Sequence, residues 1–304
     1  MATISGSVAG ARPGQRIVLF ARDGGWWVQP LVDKPFTDIQ ANSTWTNSTH
    51  LGTDYAAMLV EDGYQPPATI DALPREGGPI IAVKTVAGAG RPAARTLNFS
   101  GYEWEVRDVP SSRGGNNNYD AANAQTDANG LLHLRISQRS GQWTCAEVKL
   151  TRSLGYGSYV FVVRDASHFE PAVVASMFTW DDQGVDPNHR EMSVELTRWG
   201  DAANKNAQYV VQPYYVPANV DRFMAPAGVL THSFRWEPGR VAFRSVRGGA
   251  NAGGSPVVAE HVFNSGVPSP GGESVHLNLY IFGSAESPLQ NEAEVVIEKF
   301  QYLP

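Results

Sequence analysis

The sequence predicts an almost entirely β protein of two domains, and three observations carry that prediction. The chain has 304 residues, enough for one large core or two of moderate size, since single domains usually run to roughly 100–200 residues. It holds 30 Gly and 20 Pro beside 8 Trp, 11 Tyr and 12 Phe, a mixture that suits many short strands and tight turns better than long helices. Short β-branched and aromatic runs recur along the whole length, separated by clusters of Gly, Pro, Asn and Asp.

From Ile4 to about Val86 these runs are short and closely spaced. The run Arg16 to Ala21 is followed by Asp23-Gly24-Gly25 and then by Trp26-Trp27-Val28-Gln29-Pro30. The Asp-Gly-Gly step predicts a hairpin, because glycine reaches the positive φ of such turns at little cost. Further strands are expected over Asp54 to Val60 and Ile80 to Val86. About seven strands fit, which makes residues 1–87 a small Ig-like β-sandwich. The Gly/Ala/Pro-rich stretch Gly88 to Ala94 reads as a linker, assigned to residues 88–96.

Residues 97–304 form the second domain. It opens with Leu97 to Val106 and continues through Gly130 to Ile136, Ser158 to Val163, Ala242 to Val246 and Val275 to Tyr280, runs that suit half-buried strands of a large two-sheet sandwich. The segments Ser111 to Tyr119 and Gly248 to Gly254 are polar, glycine-rich loops.

Composition narrows the function classes. Charged residues make up 18% of the chain and the net charge is −6, which repels phosphate backbones and argues against nucleic acid as a partner. No stretch approaches the roughly 18–20 apolar residues of a membrane helix, so no membrane span is expected. The first residues, Met1 to Gly6, lack the basic and apolar regions of a cleavable export signal. Cys145 is the single cysteine and reads as a small buried apolar residue. The seven histidines are scattered without zinc-ligand spacing, so neither a metal site nor a cofactor is expected. No phosphate-binding Gly-x-x-x-x-Gly-Lys loop and no Gly-x-Ser-x-Gly elbow occurs.

The segment His189 to Gly200 carries the chemistry. As a strand, its period of two places Glu191, Ser193 and Glu195 on one face and Met192, Val194 and Leu196 on the other. Two glutamates four positions apart have Cα atoms about 13 Å apart. Side chains that lean together on a curved sheet close that gap toward the roughly 5–5.5 Å of a retaining glycosidase. In that reading Glu191 is the nucleophile, and Glu195 is general acid and then base. Read without wider context, the same spacing describes polar residues on a solvated strand face.

Context comes from a resemblance. The second domain resembles glycoside hydrolase family 16 of the concanavalin A-like lectin and glucanase superfamily, whose catalytic strand reads Glu-hydrophobic-Asp-hydrophobic-Glu. Glu191, Met192, Val194 and Glu195 keep that frame, and Ser193 stands where the family has Asp. Leu154 to Phe161, Thr231 to Trp236, Val275 to Tyr280 and Glu294 to Phe300 resemble other family strands in the same order. The resemblance implies a concanavalin A-like jelly-roll β-sandwich, with both acids open to a groove. A structural Ca²⁺ occurs in this superfamily and would be compatible with it. In the family, the middle Asp bonds the nucleophile and helps divide protons among three carboxyls. A serine can donate to Glu191 but adds no charge, which predicts weaker pressure on Glu195 to stay protonated and a reduced rate. Residues 25–30 resemble a Gly-Trp-Trp-x-x-Pro β-sandwich module of bacterial surface and secreted proteins.

Flat aromatic rings beside hydrogen-bonding groups are the expected lining of a glycan groove. Trp180 and Trp199 flank the acid strand as the preferred platforms, with Trp104, Trp143 and Tyr209 as further candidates. Arg190, His189 and Asn206 are candidate hydroxyl-binding groups, and His232 a support for the groove wall. The expected partner is a polysaccharide of the β-glucan or galactan class, met outside the cell or at its surface. Three readings stay open: a retaining endo-β-glycanase of reduced activity; a catalytically inactive carbohydrate-binding protein; and a structural or adhesion subunit of a surface layer, filament or virion. The last would make the chain a homo-oligomer or part of a larger assembly, in a virion or in the cytoplasm.

Overall fold

The structure is a computed structural model, and it describes all residues except 1, 24, 89–94, 109, 112–116, 140, 183–185, 250–253 and 284–288. Most of the expected linker lies outside the described residues, as do parts of the two polar loops. The chain divides into two compact units, Met1–Ala93 and Ala94–Pro304.

The first unit is built from β1 (Ala2–Ser7), β2 (Arg16–Asp23), β3 (Gly25–Gln29), β4 (Phe36–Thr37), β5 (Thr44–Thr49), β6 (Asp54–Val60), β7 (Thr69–Ile70) and β8 (Ile80–Ala87). β1 and β5 form an antiparallel ribbon; the others form a sheet in the order β7-β3-β2-β6-β8, with β4 on β2. Alternation along β2 gives this sheet two apolar faces. Val18 and Phe20 pack with Trp26, Val28, Met58 and Val60, whereas Ile17 and Leu19 pack with Trp45 and Leu59. Gly6 is opposite Trp45 in the ribbon, and a Cβ there would stand 2.5 Å from the indole, so glycine is what lets the ring lie flat on its neighbour. Trp26 and Trp45 are therefore core residues, while Trp27, on the other side of β3, is 49% exposed.

In the second unit, β9 (Thr96–Phe99) and β10 (Tyr102–Val106) turn at Ser100 and Gly101, both at positive φ, the backbone that a tight hairpin requires. There follow β11 (Pro110–Ser111), β12 (Asn117–Tyr119), β13 (Ala124–Thr126), β14 (Leu132–Arg139), β15 (Gln142–Leu150), β16 (Gly157–Val163), β17 (Val173–Trp180), β18 (Met192–Leu196), β19 (Ala207–Val211) and β20 (Val220–Phe223). The last are β21 (Leu230–Glu237), β22 (Arg240–Arg247), β23 (Val257–Phe263), β24 (Ser274–Ile281) and β25 (Ala293–Leu303).

Pairing sorts these strands into two main sheets. One runs β9-β10-β15-β24-β17-β18-β19-β20. The other runs β13-β14-β25-β16-β21-β22-β23. This is the large jelly-roll sandwich. Its core is aromatic: Tyr159 stacks on Phe234 at 4.6 Å and Tyr209 on Phe243 at 4.9 Å, with Trp104, Trp236, Phe161 and Phe300 fully buried beside them. The last two strands in the chain are interior ones. β24 lies between β15 and β17, and β25 between β14 and β16.

Candidate functional site

The site is built on the first sheet, on the face turned away from the aromatic core. Core-side residues of β18 and its neighbours are Met177, Val194, Tyr209 and Leu277. The intervening positions are polar, and register lines them up: Glu147 opposite Asn278, Asn278 opposite Ser176, Ser176 opposite Glu195, Glu195 opposite Gln208, and Gln208 opposite Arg222. Burying such a row of polar groups is costly unless they are paired.

β18 starts at Met192, so Glu191 lies just outside it. The ladder to β17 ends at the pair Phe178 and Ser193. Beyond that point the buried Thr179 hydroxyl accepts from Met192 N at 3.1 Å and donates to Arg190 O at 2.8 Å. A side chain thus stands in for the ladder and sets the height of Glu191. His189 and Arg190 both have φ near 52°, a left-handed backbone that side chains with a Cβ rarely adopt. It is held by Asp181 N donating to His189 O at 2.8 Å, and by Arg190 facing Asp181 at 3.7 Å and Asp186 at 3.5 Å. Arg190 thus braces this loop. On the other side, Gln212 N donates to Glu191 O at 3.1 Å.

Glu195 is 6% exposed and Ser193 fully buried, in place of the open acid expected from the sequence. Ser193 Oγ donates to Glu195 Oε1 at 3.1 Å, not to Glu191, and Gln208 Nε2 donates to Glu195 Oε2 at 2.5 Å. Burial pushes the Glu195 carboxyl up to about 7 against the pull of Gln208, Ser193 and the Arg222 charge. With an uncharged serine at position 193, Glu195 is still not an ordinary carboxylic acid, because desolvation supplies the shift that a neighbouring charge would. The phenol of Tyr280, on β24, is held well above its usual range by burial and then by the charges of Glu195, Tyr119 and Glu191. Both glutamates therefore act on the same buried ring.

The aromatic expectations divide. Trp180 lies on the polar face of β17 and is stacked by His189 at 4.0 Å between ring centres, 11° from parallel. His189 Nδ1 is 3.0 Å from Asp181 O, which fixes the imidazole over the indole. Trp199 is half-buried, its ring edge-on to Phe282 at 5.1 Å. Trp143 is half-buried against the large core. Trp104 is fully buried in that core, donating to Phe99 O at 3.1 Å, so it lines no groove. Tyr209 is also a core residue, its hydroxyl 2.6 Å from Ser245 Oγ; its register with Val194 puts it on the core side. His232 is fully buried on β21 in the opposite sheet, 2.7 Å from Ser245 Oγ, and burial holds it down at about 4. It supports the sandwich interior and not a groove wall. Asn206 is closed off by Ala225, to whose O it donates and from whose N it accepts.

Sequence reasoning missed Gln208, Tyr280, Asn278 and Glu147, all on the polar face. Alternation within β15, β19 and β24 could have found them, had the strands been paired first. It also missed Tyr214 and Tyr215, 67% and 74% exposed, in the turn that follows the Gln212 bond to Glu191. Two adjacent tyrosines after a proline were the available signal. A cavity of about 640 Å³ opens elsewhere, between the loop after β16 and the start of β25, and shares no residue with the acid strand. Among the described residues no group of His, Cys, Asp and Glu could hold a metal ion, and no helix is long and apolar enough to cross a membrane.

No family model and no curated protein matches this chain. Solved structures do. A Bacillus licheniformis β-glucanase superposes with a TM-score of 0.52 at 16% identity, covering 70% of this chain and 100% of that one. A Bacteroides ovatus GH16 protein of a mixed-linkage glucan PUL, in complex with a G4G4G3G product, gives 0.50 at 11% identity over 66% and 94%. The second unit therefore has the jelly-roll fold of the GH16 β-glucanases.

Proposed function

We propose that this protein acts on a β-linked polysaccharide along the polar face of the first sheet, as a retaining endo-β-glycanase. The observation that carries the reading is the unequal treatment of two glutamates, one within β18 and one just before it. Glu195 is buried and holds its proton to about pH 7, while Glu191 lies at the strand end, close enough for both to act on Tyr280. Pairs of carboxyls with divergent environments are how one site supplies an acid and a nucleophile. Glu191 attacks the anomeric carbon and Glu195 protonates the leaving oxygen. Glu195, now ionised, then takes a proton from the water that releases the glycosyl enzyme. Trp180 with His189, together with Tyr214 and Tyr215, offers rings to the sugar faces. The likeness to β-glucanases supports the β-glucan class over galactans. The first unit serves as an accessory module, and the working place is outside the cell.

A second reading, a glycan-binding protein without turnover, is favoured by the way Ser193 and Gln208 engage both Glu195 oxygens in a nearly closed site. Reducing-sugar release from a β-glucan panel separates the two. The enzyme releases sugar, and Glu191→Gln reduces release at least 10³-fold while retaining binding. Binding without release in the unmodified chain supports the second reading. A chain that ignores every glycan and sediments as a large assembly refutes both.

A further inference from the structure

Glu195, Gln208 and Arg222 are direct register partners on three adjacent strands. Arg222 Nε donates to Gln208 Oε1 at 3.0 Å, and Gln208 Nε2 donates to Glu195 Oε2 at 2.5 Å. A primary amide has two ends of similar shape and opposite chemistry, one that only donates and one that only accepts. Facing Glu195 alone, the Gln208 amide could present either end, its NH₂ to a carboxylate or its carbonyl to a protonated acid. Facing Arg222 it has no such freedom, because a guanidinium has no acceptor and would meet the turned-over NH₂ donor against donor.

We propose that Arg222 is a positioning residue for the acid/base group: its donors lock the Gln208 amide with the NH₂ end toward Glu195. The role of Glu195 rests on the glycanase reading; the locking of the amide does not. A locked donor stabilises the carboxylate, whereas a carbonyl in its place would demand that Glu195 keep its proton. This matters for the second half of a retaining cycle, when the same group must accept a proton from water. Desolvation alone would hold the proton too firmly for that step, and the Arg222-Gln208 relay opposes it. The other groups facing Glu195 are the Ser193 hydroxyl on its own strand, Ser176 on β17 and the Tyr280 phenol on β24, with Glu191 acting on that same phenol. Arg222 supplies the cation. Its side chain is exposed, so replacing it leaves the core intact.

The test is the titration of the Glu195 side-chain carboxyl in the full chain, followed by ¹³C NMR and assigned with Glu195→Gln. Arg222→Met raises the midpoint by about one pH unit, and Arg222→Lys, which keeps charge and donors, restores most of it. In a Gln208→Leu background the Arg222→Met shift shrinks to less than half, because the relay is already cut. An unchanged midpoint in Arg222→Met overturns the proposal. So does an equal shift in both backgrounds, which would mean that Arg222 acts through its charge alone. The expected titrations in a chain that cleaves no glycan would sink the glycanase reading and leave the positioning role standing. Failed titrations in an active enzyme would do the reverse.

Discussion

At the scale of single residues, the two glutamates differ by environment and not by residue type. Glu191 and Glu195 are the same amino acid; what separates them is that one lies just before β18 and the other is buried within it. Ser193 adds a hydrogen bond and no charge. Ser193→Asp should place a second negative charge beside Glu195, disfavour its ionised form, and move its midpoint above the present value of about 7. In a pH profile of kcat/KM on β-glucan, the basic limb would shift upward by about one unit. A limb that stays in place would show that Glu195 is not the acid. Cys145, buried with its thiol pushed up to about 12, should not react with thiol reagents in the folded chain.

At the scale of elements, alternation made the acid strand legible and hid most of its surroundings. Glu191 lies just before the strand begins, and the period of two in residues 192–196, which is local to the strand, sends Met192, Val194 and Leu196 into the large core. It could not say that Trp104 and Tyr209 point into the core, since that depends on which strands lie beside them and which sheet faces them. His232 looked like a groove residue for the same reason; its strand belongs to the other sheet. The hairpin after Asp23 and the strands over Asp54–Val60 and Ile80–Ala87 were readable because turn chemistry and β-branching are local. The Thr179 bridge, by contrast, has no signature in the sequence. Thr179→Val would leave Met192 N without its acceptor in a buried place, costing about 1–3 kcal/mol in urea unfolding. It should also lower kcat more than it raises KM, because Glu191 loses the support that fixes its height. By comparison, Tyr214→Ala and Tyr215→Ala touch only exposed rings. They should weaken glycan binding several-fold and leave the urea midpoint unchanged; equal binding would remove these rings from the site.

At the scale of the whole molecule, two buried groups give stability opposite dependences on pH. Glu195 is raised to about 7 in the folded chain, so it contributes stability that is present below about pH 4.5 and is lost as pH rises toward 7. His232 is lowered to about 4, so its contribution is present above about 6.5 and is lost as pH falls toward 4. Each is worth about 3 kcal/mol across its range, and between pH 4.5 and 6.5 they offset one another. Relative to the parent chain, Glu195→Gln should gain thermal stability as pH rises through that window, and His232→Phe should lose it; parallel Tm curves would contradict both assignments. The interior places of β24 and β25 bear on synthesis as well. Each sheet of the large unit waits for a strand from residues 274–303 before its two halves can join. A nascent chain still holding that stretch inside the ribosome would have neither layer closed, and would depend on chaperones or speed to keep its aromatic rings from other chains.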